Sequence, residues 1–398
     1  MIKVHPAASR PARDSASNIG FDVAVVKGLR GFLDLETQWR ELVKQTESAN
    51  PFLAWAWASS WVKHFSGDRL VTVVVRSSSR VIAIAPFHRK QYLQVPGLRA
   101  TALQLFGPRE AQVLFEIREI LAGPGAKVRL FGAVLDALER SAGWDWIELS
   151  AQAADTEALE AAANDSSARL AIRTEWRRST PVMRLASSWE EHKKGLKRNI
   201  KESIRHSYNS LQREGHAVSV HLAESDEEKA LAIDDLLELH RLRSTVEDRY
   251  HHRDHFKQAG YRQFMHDALV STDARLFSLR IDGEVVAVRA ALDVDRMRYL
   301  YYSGFDPRWW NYGVMTLLVT EMVRDAIARG MHTVNFSPGV DPSKTRWGVD
   351  LVPLHAYVVL RRSWASNARC DAIERLRLLR STIRENRRRA WQRLRRIG

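Results

Sequence analysis

Hydrophobic patterning is clearest between Met297 and Gly348, where the chain changes period twice. Met297–Phe305 (MRYLYYSGF) is aromatic and aliphatic and predicts a strand. A turn over Asp306–Asn311 follows, with Pro at its second position. Tyr312–Arg329 predicts a helix stopped by Gly330, and His332–Ser337 a second strand. A strand that ends where a helix begins sets unpaired backbone N–H groups and the positive helix pole beside a sheet edge. That is a ready site for a phosphate-bearing cofactor.

The same pattern recurs earlier in the chain. Leu70–Pro86 (LVTVVVRSSSRVIAIAP) and Ala274–Ala290 (ARLFSLRIDGEVVAVRA) each read as strand, polar turn and strand, with Asp282-Gly283 a standard hairpin signal. Arg140–Ser150 (RSAGWDWIELS) echoes Ile327–Ser337 (IARGMHTVNFS), aligning Gly143 with Gly330. Two matches in the same order predict duplicated α/β units. The first unit opens with a strand over Phe21–Val26 and two helices carrying Trp39 and Leu42, then Trp55, Trp57 and Trp61. Trp57 and Trp61 share a helical face, which favours core packing over ligand stacking. A helix–strand pair (Leu130–Gly143, Trp144–Ser150) and strands near Leu170–Trp176 and Val182–Leu185 complete it. One long helix, Trp189–Glu214, is expected to connect the units. The second continues through a strand (Val218–Leu222), helices (Asp226–Arg249, His255–Val270), the hairpin and the aromatic strand, ending in a strand over Leu354–Leu360. The expected division is a loose tail over 1–20, units over 21–187 and 216–362 joined by 188–215, and a helical tail over 363–398.

Composition bounds the function. With 398 residues, 45% of them hydrophobic, the chain can fill two ordinary cores. No apolar run reaches the roughly 18 residues needed to span a bilayer, and the first twenty residues lack the apolar stretch of a secretory signal. A single cysteine, Cys370, excludes an internal disulfide and a thiolate metal cluster, so a reducing cytoplasm is expected. The net charge of +14 is concentrated: thirteen Arg from Arg361 onward face only Asp371, Glu374 and Glu385, leaving about +4 elsewhere. Ile373, Leu376, Leu379, Ile383, Ala390, Trp391, Leu394 and Ile397 recur mostly at helical steps along this tail. A basic amphipathic helix of this kind fits an anionic membrane surface and, equally, packing on the domain.

PFLAWAW near Pro51, KKGLKRNIKESIRH (Lys193–His206), YYSGFDP (Tyr301–Pro307) and Asp341…Lys344…Trp347-Gly348 carry a family resemblance. Over most of residues 21–362 the sequence resembles the GNAT acyltransferases. More narrowly, it is similar to the CelD/BcsL type associated with bacterial cellulose and exopolysaccharide production, with FemAB-type aminoacyltransferases as tandem relatives. The resemblance implies an α/β fold of two GNAT-like units, each a mixed sheet flanked by helices. It implies an enzyme that moves an acyl group from acetyl-CoA or another acyl-CoA to an amine or hydroxyl, without metal. A sugar or polysaccharide precursor is the expected acceptor, and the C-terminal unit the expected active one. The alternatives are FemAB-like transfer from aminoacyl-tRNA and a non-catalytic scaffold for a membrane polysaccharide synthase.

Carried onto this chain, the resemblance makes Met297–Phe305 and His332–Ser337 the splayed strands and Asn311, Tyr312, Gly313 and Val314 the phosphate loop, where Gly313 permits close backbone approach. Relatives commonly read Tyr-Ser-Pro-Gly at that helix start, and carry Asp where Asn335 stands; Asn can hold a substrate but cannot act as a base. Asp341 is a candidate base or orienter and Lys344 a phosphate contact, with Arg346 in the same loop. Asn335, Ser337 and Trp347 are expected to contact substrate. Tyr301 and Tyr302 are neighbours on a strand, so one should face the core and the other the site; Tyr302 is the candidate proton donor to the leaving thiolate. Lys194, Lys197, Arg198, Lys201 and Arg205 form a one-sided basic band suited to an anion. Arg243, with Arg241 and Arg249, is a substrate-side candidate. His240, His251, His252 and His255 lack metal-ligand spacing.

Overall fold

The structure is a computed structural model that describes residues 21–92, 99–108, 111, 113–125, 127–140, 143–152, 157–162, 170–246, 252–361 and 363–395. The N-terminal half supplies β1 (Asp22–Lys27), α1 (Gly28–Leu33), α2 (Glu36–Val43), α3 (Trp55–Phe65), β2 (Leu70–Ser77), β3 (Arg80–Tyr92), β4 (Ala100–Leu105), β5 (Leu121–Ala122), α4 (Lys127–Arg140), β6 (Trp146–Gln152) and β7 (Leu170–Arg184). After α5 (Trp189–Gly195) and α6 (Arg198–Arg213), the C-terminal half adds β8 (Val218–Leu222), α7 (Asp226–Thr245), α8 (Ala259–Ser271), β9 (Ala274–Ile281), β10 (Glu284–Val294) and β11 (Met297–Phe305). It continues with α9 (Val314–Ala328), β12 (Thr333–Asn335), α10 (Pro342–Thr345) and β13 (Asp350–Arg361), and α11 (Trp364–Arg395) ends the described chain.

The two halves share one sheet, ordered β1-β2-β3-β4-β6-β13-β7-β12-β11-β10-β9-β8, with β5 paired to β3. From either edge the order runs through five strands of one half and then the last strand of the other. The halves therefore exchange their final strands, and β7 and β13 form the central antiparallel ladder, Asp350 opposite Val182 through Arg361 opposite Leu170. The repeated segments occupy matching places. β2–β3 and β9–β10 are antiparallel hairpins, and β4 with β6 and β11 with β12 are the parallel pairs.

Several expected elements change at their ends. The connecting helix is two helices, because Leu196 and Lys197 adopt extended backbone after Gly195 and break the ladder of hydrogen bonds. The two strands expected over 170–185 are one strand, with Pro181 where the pairing to β12 stops. β13 starts at Asp350, four residues early, because Asp350–Pro353 are exposed and give no hydrophobic signal.

Two cores sandwich the sheet. On one face Trp39, Trp57, Trp61, Phe52 and Phe115 of the N-terminal half pack with Phe264, Tyr299 and Tyr301 of the C-terminal half. Trp57 meets Tyr301 edge-on at 5.3 Å and Phe52 meets Tyr299 at 5.2 Å, a favourable aromatic geometry. On the other face α6 and α9 cover Leu300, Val334 and Phe336. Trp347, expected at the substrate, belongs to this second core: it is 4% exposed and lies beside Phe336. Its apolar ring gains more from burial than from a wet cleft.

α11 lays Cys370 and Ile373 on Trp146, Val358 and Leu360, and burial pushes the Cys370 thiol up to about 12. Leu376, Leu378, Leu379 and Ile383 stay exposed; side chains at 390, 391 and 394, and residue 397, fall outside the described residues. Arg249, His251 and the tail over 1–20 do so as well.

α7 rests directly on β11 at Gly304, where an added Cβ would stand 2.3 Å from the His240 backbone nitrogen. Gly304→Ala is expected to lower unfolding free energy by about 1–3 kcal/mol, since backbone must move to make room. Trp347→Ala is expected to cost about 3–5 kcal/mol in the same denaturant titration, as for any large aromatic removed from a core.

Candidate active site

The parallel ladder between β11 and β12 is short. Met297, Arg298 and Tyr299 pair with Thr333, Val334 and Asn335, and then the strands part. β11 stays with β10 to Phe305. The chain beyond β12 follows β7 instead, with Phe336 N donating to Pro181 O at 2.9 Å and Gly339 N to Ser179 O at 3.0 Å. Asn335 Oδ1 accepts the Ser337 amide at 2.9 Å as the chain turns away, Ser337 standing at φ +64°. The expected wedge is present, and it opens beyond Tyr299.

A cavity of about 790 Å³ lies at the mouth of the wedge, lined by Asn311, Gly313, Val314, Arg243, Arg289 and Arg346 together with α6 residues. The first turn of α9 leaves amide hydrogens without intrahelical acceptors at this end. Gly313, at φ +63°, lets the loop pass under α6: a Cβ there would stand 2.6 Å from Ser207 Oγ. Arg243 lies over the rings of Phe305 and Trp310 at 5.3 and 5.0 Å, which fixes its guanidinium at the rim. Arg289 is buried enough that its guanidinium is pushed down to about 10. Its Nε is buried without a hydrogen-bond partner among the described residues. Three arginines against Glu202, with an orphaned donor, fit a phosphate-bearing substrate.

A second cavity, about 410 Å³, is walled by both halves: Phe115, Glu116, Arg118, Glu148 and Ser150 from one, His255, Tyr302 and Pro338 from the other. Three tyrosines of β11 hold the N-terminal segment beside it. Tyr302 Oη donates to Val113 O at 2.9 Å, Tyr301 Oη to Leu114 O at 2.6 Å and Tyr299 Oη to Glu116 Oε2 at 2.5 Å. Strand alternation predicts that Tyr301 and Tyr302 face opposite ways, but they do not. Arg289 pairs with Ser303 and Ala291 with Leu300, so a bulge sets both tyrosines opposite Ala290. Their rings meet at 4.8 Å.

Burial pushes the Glu116 carboxyl up to about 7, against the lowering effects of the Tyr299 hydrogen bond and of Lys344, Arg289 and Arg178. The corresponding gap in the N-terminal half holds a buried arginine. Arg118 Nη1 donates to Leu105 O at 2.9 Å and Gly107 O at 3.1 Å, beyond the point where β4 and β6 stop pairing.

The expected site residues divide accordingly. Asn311, Gly313, Val314 and Arg243 meet in the larger cavity, and Tyr302 lines the smaller with its proton committed to Val113 O. Tyr312 is not among the residues lining the larger cavity, its hydroxyl being bonded to Glu214. Asp341 caps α10, accepting from the Ser343 amide at 2.9 Å, which occupies it structurally. Lys344 Nζ donates to Ser337 O at 3.2 Å and Pro338 O at 3.3 Å, and burial lowers its pKa. Among the described residues Lys197 reaches Thr345 O, at 3.4 Å. Arg198, paired with Glu202 at 2.7 Å, lines a separate groove of about 460 Å³ with Lys193, Lys201, Arg205 and Arg324. His240 sets its ring nitrogens 3.1 Å from Ser303 O and 3.2 Å from Arg253 O. Among the described residues no group of three His, Cys, Asp or Glu side chains is arranged to hold a metal.

Glu116 and Arg289 line these cavities and were missed by the sequence reading, whereas Arg346, expected in the loop after the last strand, does line the larger one. Arg289 sits in the hairpin repeat itself, where a charge inside an otherwise apolar strand offered the one available signal. Glu116 lies in a loop outside both repeats and carries none.

Residues 198–345 match the family described as acetyltransferase (GNAT) domain. No curated protein matches the sequence. Among solved structures the chain is similar to FemX, with a TM-score of 0.54 at 11% identity over 80% of this chain and 95% of that one. It is also similar to a conserved protein of unknown function from Bacteroides thetaiotaomicron VPI-5482, at 0.53 and 10% over 82% and 97%. L-PGS from Bacillus licheniformis gives 0.50 and 12% over 86% and 95%. The fold is a tandem GNAT-type acyltransferase fold, with the acetyltransferase-domain match on the half that holds the larger cavity.

Proposed function

We propose that the protein transfers an acyl group from an acyl-CoA to an amine or hydroxyl, on a sugar or polysaccharide precursor, at the wedge of the C-terminal half. The observation that carries this reading is the buried, unpartnered Nε of Arg289 in a cavity at a helix start. A buried guanidinium donor left without an acceptor costs free energy that an anionic ligand restores. Arg243, Arg346 and the first amides of α9 would hold the donor's phosphates, and Gly313 gives them room. The acceptor then enters from the inter-half cavity, whose Arg118, Arg178, Glu148 and His255 suit a hydroxyl-rich molecule. The N-terminal half works as a wall, since Arg118 closes its own gap.

A second reading, transfer from aminoacyl-tRNA, is favoured by the groove beside α6, where Lys193, Arg198, Lys201, Arg205 and Arg324 gather beside Glu202, with Arg324 also paired to Glu321 at 3.2 Å. Such a cluster binds a nucleic-acid backbone with strong salt dependence. No helix among the described residues is long and apolar enough to cross a membrane. The exposed Leu378, Leu379 and Ile383 on the Arg-rich α11 support attachment to an anionic membrane surface instead.

Titration calorimetry separates the two donors. Acetyl-CoA is expected to bind the wild type, and Arg243→Ala and Arg289→Met to weaken it by about ten- to a hundredfold each, as for loss of a charge-assisted hydrogen bond. Binding of tRNA alone, with a steep salt slope lost in Lys201→Ala/Arg205→Ala, overturns the acyl-CoA reading in favour of the second.

A further inference from the structure

Tyr299 is the last residue of β11 with a partner on β12, so its side chain marks the point where the wedge begins. The acid bonded to its hydroxyl comes from the other half of the molecule, 183 residues away in the chain. Glu116 Oε2 is occupied by that hydroxyl, while Oε1 has no hydrogen-bond partner among the described residues. The side chain lines the inter-half cavity and keeps part of its surface accessible there. Asn335 cannot take up a proton at neutral pH, and Asp341 is engaged in capping α10. We propose that Glu116 is the general base of the C-terminal site, supplied across the interface by the N-terminal half.

This assignment rests on the acyl-CoA reading and adds the proton's path. As the acceptor N–H or O–H attacks the acyl carbonyl carbon, the new C–N or C–O bond forms and the proton passes to Glu116 Oε1. The C–S bond breaks with its electron pair on sulfur, and the departing thiolate is reprotonated by Glu116 through water in the cavity. The products are the acylated acceptor and the free thiol. Tyr299 is a positioning residue that holds the carboxylate and disfavours its protonation.

The surroundings set the pH dependence. Tyr299 from β11, Arg289 from β10, Lys344 from α10 and Arg178 from β7 all favour the carboxylate, and burial outweighs them, so Glu116 titrates near 7. The basic form is the active one, so kcat/KM should rise with pH through about 7 and level above it.

The test uses the full chain, acetyl-CoA as donor and D-glucosamine, which offers an amine and hydroxyls, as probe acceptor. Glu116→Gln keeps the size of the side chain and an acceptor for Tyr299. It is expected to lose about a hundred- to ten-thousandfold in thiol release while binding acetyl-CoA within about twofold of wild type, the difference expected for a residue outside the donor cavity. Tyr299→Phe should shift the acid limb of the pH profile to higher pH without removing it. Infrared titration of the ligand-free protein should show one carboxyl band disappearing near pH 7, absent in Glu116→Gln. A Glu116→Gln enzyme that binds acetyl-CoA and keeps the wild-type rate overturns the base assignment alone. So does a wild type that binds acetyl-CoA yet releases no thiol at any pH, or one lacking the near-neutral infrared band. Failure of the wild type to bind acetyl-CoA overturns the donor reading instead.

Discussion

Three phenolic hydroxyls of one strand hold the two halves in register. Tyr299, Tyr301 and Tyr302 each donate into the segment Val113–Glu116, and the bulge opposite Ala290 is what allows adjacent tyrosines to reach the same side. Without that bulge the period of two would send one ring into the α9 core, where its hydroxyl would be left without a partner. The aromatic cores of the N-terminal helices then close over the rings, Phe52 and Trp57 both touching them. The wedge stays open because these contacts anchor β11 on one side while β12 peels away along β7.

Exchange of the final strands makes the arrangement cooperative. β13 ends the C-terminal half in sequence but completes the sheet of the N-terminal one, between β6 and β7. Separating the halves would expose the long β7–β13 ladder and both sheet edges beside it, which is unfavourable for backbone groups already desolvated. The N-terminal half is thus fixed against the site by backbone pairing, and its loop chemistry can serve as part of that site. Its own gap beyond β4 and β6 holds Arg118, bonded to Leu105 O and Gly107 O.

The repeat was legible because hairpins and helix–strand pairs carry local signals. Asp282-Gly283, the alternation on β9 and β10, and Gly330 after α9 each declare a turn or a period in a few residues. The turn at Gly313 was legible for the same reason, since it and the helix behind it are neighbours in sequence. Strand exchange was not: pairing of β13 with β6 and β7 joins residues at least 168 positions apart and leaves no local mark. The bulge escaped because an aromatic pair reads the same whether or not its partner strand is a residue short. Trp347 and Asp341 misled in the opposite sense. Both are polar-loop residues whose chemistry suits a site, yet one fills a core and the other caps a single helical turn.

Charge was the least transferable of the sequence signals. Part of the tail's basicity is spent inside the fold: Arg377 pairs with Glu148 at 3.2 Å beneath α11, and Arg369 pairs with Asp145 at 2.8 Å. Glu148 in turn accepts from Gln104 at 2.7 Å and from Trp146 at 3.0 Å, so the helix anchors a buried polar network beside the smaller cavity. A carboxylate held by several donors is much better stabilised than an exposed ion pair. Residues that look like a free polycation in sequence therefore fix one wall of the inter-half cavity. Other arginines and lysines line the larger cavity and the groove beside α6. Net charge counts all of these alike, but burial and partners separate the structural arginines from those still available to a ligand.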